Sequence, residues 1–170
     1  MSDDDGRDAA HWDAVEEGVE RLQEGDVAGA LRELGDVAAR EPDNPYAHHF
    51  LGTAYFEHQD HARALKCFVR AIEVAPGYIG ALIGAGQALR MLGDHDRALR
   101  MGMQVLRLDR NDADALFLVG AVHFQRGDYA QARGFLERFL HTNPEIEVAL
   151  EVEGMMQVVR GEVDPPPTEA

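Results

Sequence analysis

Cysteine, lysine, tryptophan and serine each occur once in the 170 residues, as Cys67, Lys66, Trp12 and Ser2. A lone cysteine excludes an intramolecular disulfide and a thiolate-ligated metal cluster. The near-absence of serine, with no cysteine–histidine pair at a recognisable spacing, leaves no nucleophile–base arrangement. Basic clusters are also lacking, which argues against a nucleic-acid partner and against adsorption to anionic lipid. The N-terminal MSDDDGRD lacks the basic-then-apolar layout of a secretory leader. The uncharged stretch Pro76 to Leu89 is too short and glycine-rich to span a bilayer. A reducing, cytoplasmic location is therefore expected, with no membrane partner.

What the chain does carry is acid, unevenly placed. The net charge is −15. Residues 1–41 hold 13 acids and 4 bases, and residues 145–170 hold 7 acids and 1 base. The segment 42–144 has 11 of each and is neutral. Acidity thus belongs to the ends, and hydrophobic content of 45% is that of a folded domain.

A fixed period organises the chain. Gly18, Gly52, Gly86, Gly120 and Gly154 lie 34 residues apart. Asp26, Asp60, Asp94, Asp128 and Glu162 share that period, as do Ala30, Ala64, Ala98 and Ala132. Pro42, Pro76 and Pro144 form a further column, broken by Arg110. Each unit reads as two antiparallel helices. In the second, Tyr46 to His58 has apolar residues at helical spacing, Asp60 is placed to cap a helix over 61–74, and Pro76 stops it. Gly25-Asp26, Gly93-Asp94 and Gly127-Asp128 repeat the turn. The period also disposes of a nucleotide-binding reading of Gly84-Ala85-Gly86-Gln87-Ala88-Leu89, because such a loop must follow a strand and Tyr78 to Ile83 leads into a helix.

These columns resemble the tetratricopeptide repeat family, carried by Leu51-Gly52, Tyr55, Asp60, Ala64, Phe68, Ala71 and Pro76 and again by Val119-Gly120, Gly127-Asp128-Tyr129, Ala132, Leu136 and Pro144. The resemblance implies an all-α fold, an α-solenoid of antiparallel helix pairs with about nine helices. The expected domain covers 11–160, with repeats at 11–44, 45–78, 79–112 and 113–146 and a capping helix at 147–160. The tails 1–10 and 161–170 are expected to be disordered. Gly102 stands where Phe68 and Leu136 fill the core of other units, so the third unit is expected to be the loosest.

Candidates for chemistry are few. His58, His61 and His95 fall at inter-helix turns, but equivalent residues on stacked repeats do not converge on one ion as a closed metal site requires. Cys67 reads as a small packing residue, and His123, in the column of Tyr55, as a packing histidine. No enzyme activity, metal or cofactor is expected.

The family resemblance places partners on a concave groove lined by the first helix of each unit. The first unit would supply Trp12, Val15, Val19 and Leu22. The next gives Tyr46, His49, Phe50, Thr53 and Phe56, and the third Gly80, Ile83, Gly84, Gln87 and Arg90. The fourth gives Asp114, Phe117, Leu118, Ala121 and Phe124. Arg90 is the only base among them, so the cationic set that grips a terminal carboxylate in some members is not expected. The face reads instead as apolar, with Gly80 and Gly84 as the floor beneath a close-lying ligand. The alternative to this reading is that these apolar residues pack between repeats or against the tails.

Trp12, Val15, Val19 and Leu22 form one side of an amphipathic helix, opposite Glu16, Glu17, Glu20 and Glu24. At the other end, Val148, Val152, Met155, Met156 and Val159 present the same choice between capping and exposure. Trp12, Val15, Val19, Leu22, Val152 and Met155 are thus candidate end contacts. The resulting expectation is a non-enzymatic module, an adaptor, scaffold or chaperone, that binds an apolar peptide or helix of a protein partner. The alternative is a structural scaffold that self-assembles into a homo-oligomer through apolar end helices.

Overall fold

The computed structural model describes residues 3–165. Among them are ten helices and no strand: α1 (Asp3–Asp13), α2 (Glu16–Gln23), α3 (Val27–Arg40), α4 (Pro45–Glu57), α5 (His61–Val74), α6 (Ile79–Met91), α7 (His95–Leu108), α8 (Ala113–Gln125), α9 (Tyr129–Leu140) and α10 (Ile146–Val159). They group into two compact units, Met1–Asp94 with α1–α6 and His95–Ala170 with α7–α10. Within the first, α2 packs on α3, α3 on α4, α4 on α5 and α5 on α6; within the second, α7 packs on α8, α8 on α9 and α9 on α10.

The tenth helix is α1, which takes up residues 3–10 of the stretch expected to be a disordered tail. Its acidic composition hides the anchors that hold it. Asn44 Nδ2 donates to the His11 carbonyl at 2.9 Å, and the Tyr46 hydroxyl donates to Asp8 at 2.7 Å. Arg7 pairs with Asp43, and the Trp12 ring lies edge-on against Tyr46 and Phe50. At the other end, residues 161–165 follow α10, and residues 166–170 of the expected C-terminal tail lie outside the described residues.

The periodic turn has one geometry. The N–H groups of Asp26, Asp60, Asp94, Asp128 and Glu162 each donate to the carbonyl five residues earlier, which closes the preceding helix. That closure needs a left-handed residue just before the acid. Glycine supplies it at Gly25, Gly93, Gly127 and Gly161, but in the second repeat Gln59 is forced to φ 62°. The side chains of Asp26 and Asp60 then cap the next helix, accepting from Gly29 and Arg63 N–H groups at 2.9 and 3.0 Å. Hydrogen bonding from Gly29, and then from Arg21, holds the Asp26 carboxyl below its ordinary range. Asp128 departs from the pattern: its side chain caps no backbone N–H and instead receives Arg126 at 3.2 Å.

The glycine column is explained by what lies against it. A Cβ at Gly18 would stand 2.5 Å from Leu34, one at Gly52 would stand 2.8 Å from Phe68, and one at Gly120 would stand 2.6 Å from Leu136. Each glycine therefore admits the large residue 16 positions later, and the burial gained there offsets the roughly 1 kcal/mol that mid-helix glycine costs. Gly102 lacks such a side chain, but it leaves no hole. Val119 of α8 reaches into the space, 2.6 Å from where a Cβ would stand, so the slack expected of the third repeat is taken up at this point.

Candidate functional site

Helical spacing divides α4 into two sides. Ala47, Leu51 and Ala54 are buried, at 0%, 9% and 0% exposure. Tyr46, His49, Phe50, Thr53 and Phe56 lie half-buried on the side expected to bind a partner. Trp12 packs edge to face on Tyr46 at 5.4 Å and Phe50 at 5.7 Å, as does His49 on Phe50 at 4.8 Å, and His49 lies tilted against Tyr78 at 4.8 Å. Contacts of this kind add about 1 kcal/mol each beyond area burial. Trp12, 44% exposed, is the open margin of the cluster. Beside it a cavity of about 380 Å³ is lined by Asp8, Pro45, Tyr46, Ala75, Pro76, Gly77 and Tyr78.

Burial perturbs two titratable groups on this face. His49 Nδ1 is buried without a hydrogen-bond partner, and burial pushes the imidazole down to about 4, so it is neutral at pH 7. Burial, then the nearby Tyr46 and Asp8, pushes the Tyr78 hydroxyl well above its ordinary range. The Thr53 hydroxyl is turned inward to the His49 carbonyl at 3.2 Å.

On α6, Ile83, Gln87 and Arg90 are half-buried. Arg90 donates to the Gln87 side chain at 2.9 Å. The expectation that Gly80 and Gly84 form a ligand floor is corrected. A Cβ at Gly84 would stand 2.4 Å from the Phe68 ring, and one at Gly80 would stand 3.1 Å from His49. These glycines make room for the chain's own rings. Phe68, 2% exposed, thus lies against both Gly52 and Gly84.

In the second unit, Phe117 and Phe124 of α8 are half-buried, against Phe139 at 5.5 Å and Tyr129 at 5.7 Å. Leu118 and Ala121 are 0% exposed and belong to the core, not to a binding face. Leu118 lies beside the Gly102 notch, and a residue with no accessible surface cannot meet a partner. The same reason removes Val15 and Val152 from the candidate end contacts, since both are 0% exposed. Val15 joins the core cluster of Ala30, Leu34 and Val37, with Val19 and Leu22 partly buried against it. Met155 is half-buried. The apolar surface of α10 is instead Ile146 and Leu150, at 78% and 68% exposure. A sequence signal for this existed: Leu150 shares a repeat column with Leu82 and Leu116, but no second helix follows α10 among the described residues.

Groups with reactive potential are used in packing. Burial pushes the Cys67 thiol up to about 11, so little thiolate exists at pH 7. His123 stacks on Phe135 at 5.8 Å, and the His61 ring lies 4.9 Å from Phe56. Among the described residues, no group of three or more His, Cys, Asp or Glu is placed to hold a metal ion. No described helix is long and apolar enough to cross a membrane.

Comparison with known proteins agrees with this architecture. Tetratricopeptide repeat models match residues 43–111 and 89–150. DnaJ homolog subfamily C member 7 of Homo sapiens is 31% identical over 94 residues, which are 55% of this chain and 19% of that protein. The chain thus spans about a fifth of that relative's length. Among solved structures, a tetratricopeptide repeat protein of Parabacteroides merdae superposes with a TM-score of 0.70 at 20% identity, covering 91% of this chain and 61% of that one. The second TPR domain of the human RPAP3 protein, in complex with an HSP70 peptide, gives a TM-score of 0.63 at 21% identity over 68% of this chain and 97% of that one. Period, turn geometry, glycine notches and family matches agree: the chain belongs to the tetratricopeptide repeat family and has that family's all-α solenoid architecture.

Proposed function

We propose that this protein is a non-enzymatic interaction module, an adaptor, scaffold or chaperone, that holds an apolar peptide or helix of a partner protein on its first-helix faces. The observation that supports this most is the half-exposed ring cluster on α4, edged by Trp12 and flanked by a cavity. Partly buried aromatic residues are where interface energy concentrates. The candidate positions carry one base, Arg90, among mostly apolar and aromatic side chains, so affinity comes mainly from apolar burial. The RPAP3 domain, similar in fold, holds a peptide.

The test is selection of peptides from a display library on the full chain, followed by binding measurements on the variants Phe50→Ala and Phe117→Ala. Selected peptides should be apolar, bind equally at low and high salt, and lose about tenfold or more in affinity on at least one of the two substitutions. If both substitutions leave binding unchanged, the face is assigned wrongly.

A further inference from the structure

We propose that a second copy of this chain docks the outer strip of α10 into an arginine-rimmed cavity formed by α7, the turn that follows it and α9. The inference is independent of the peptide-binding reading, because it uses neither the α4 rings nor the α6 face.

The strip is the face of α10 that other repeats cover. Leu82 and Leu116, in the same repeat column as Leu150, are each 1% exposed, whereas Leu150 is 68% exposed. Ile146, one turn before it, is 78% exposed. One turn after it, a Cβ at Gly154 would meet nothing within 4 Å, while Gly52 and Gly120 receive Phe68 and Leu136. An apolar ridge is therefore bare where its equivalents are packed. Beside the ridge run Glu147 and Glu151, both exposed and without an ion-pair partner among the described residues. Arg160, the base nearest in sequence, is taken by Glu153 at 2.7 Å.

The cavity has the opposite character. It measures about 540 Å³ and is lined by Met103, Leu106, Phe135, Arg107, Arg110 and Arg138. Arg138 lies 5.9 Å over the Phe135 ring and donates to the Arg110 carbonyl, which fixes its guanidinium at the rim. Glu137 pairs with Arg133 at 2.7 Å and Asp96 with Arg126 at 2.8 Å, and the Asp109 carboxylate accepts from the Asn111 N–H at 2.9 Å. Among the described residues, Arg107 and Arg110 have no ion-pair partner. An apolar floor with a cationic rim thus complements an apolar ridge with an acidic flank. Such complementarity fixes register as well as sign. Because the two surfaces differ, the contact is head-to-tail, and it propagates unless its rotation closes a ring.

Sedimentation of the full chain over a range of concentrations tests this. The wild type should rise above its single-chain mass of 18.8 kDa with concentration, and less so at high salt. The double variant Arg107→Glu/Arg110→Glu should associate about tenfold or more weakly, as should Glu147→Arg/Glu151→Arg. Mixing the two variants restores opposite charges across the contact and should restore association. All four positions are exposed, so circular dichroism should be unchanged. A wild type that stays at single-chain mass throughout overturns the proposal and leaves the strip to another protein's helix. Variants that associate like the wild type, or a mixture that does not recover, overturn it equally.

Discussion

Helix α4 of the first unit and helix α8 of the second use the same repeat columns for different ends. On α4 the positions of Tyr46, His49 and Phe50 hold rings that remain partly accessible. On α8 Leu118, in the column of Phe50, is sealed, and Phe117, in the column of His49, lies against Phe139. The difference follows from the core residue each must accommodate. In the first unit Phe68 is large enough to fill the notches at both Gly52 and Gly84. In the second, Gly102 supplies no such side chain, so Val119 and Leu118 of α8 turn inward to fill the space. A repeat column fixes a residue's place on the helix; the size of the neighbour decides whether it faces the core or the solvent.

Removing the ring that sets this difference should have the largest effect. Phe68→Ala empties both notches and should cost about 4 kcal/mol, against about 3 kcal/mol for Leu136→Ala, which empties one. Denaturant unfolding measures both; equal costs would deny Phe68 its double role.

Next is pH. Folding buries His49 and lowers its pKa from 6.5 to about 4, so the unfolded chain binds the proton more tightly. The stability it permits at neutral pH is lost as pH falls from about 6.5 towards 4, up to about 3 kcal/mol at the acid end. His49→Phe installs the residue that α8 carries in this column, and it should flatten that part of the stability–pH curve. A variant with the wild-type curve would show that His49 is not the group responsible.

Gly84→Ala places a methyl 2.4 Å from the Phe68 ring and should cost about 1–3 kcal/mol. Gly154→Ala meets nothing and should gain up to about 1 kcal/mol from helix propensity. The sign of the difference is the result to read. Smallest is Gln59→Gly, which relieves φ 62° at the one described repeat turn that lacks glycine and should raise stability by about 0.5–1 kcal/mol.

These contrasts mark what the sequence makes legible. The 34-residue period carries the helix pairs, the turn at each acid and the identity of the family, because those features are local and repeated. Which apolar residues stay accessible is not repeated, and there the reading of single columns falls short. Leu118, Ala121, Val15 and Val152 look like face residues by spacing and are core by burial. Gly80 and Gly84 look like room for a ligand and are room for His49 and Phe68. Helix α1 is obscured for another reason: its anchors, Asn44 and Tyr46, lie more than 30 residues away, and an acidic run gives no local hint of them. The cavity of Arg107, Arg110 and Arg138 joins residues from α7, the turn after it and α9, which no single periodicity connects.

The central claim, that the ring face of α4 receives an apolar partner, has a built-in reporter. Trp12 is the only tryptophan, stands against Tyr46 and Phe50, and is 44% exposed. Adding a library-selected apolar peptide should shift its emission to the blue and shield it from iodide quenching, at low and high salt alike. A peptide that binds the chain while Trp12 emission and quenching stay unchanged would contradict the claim.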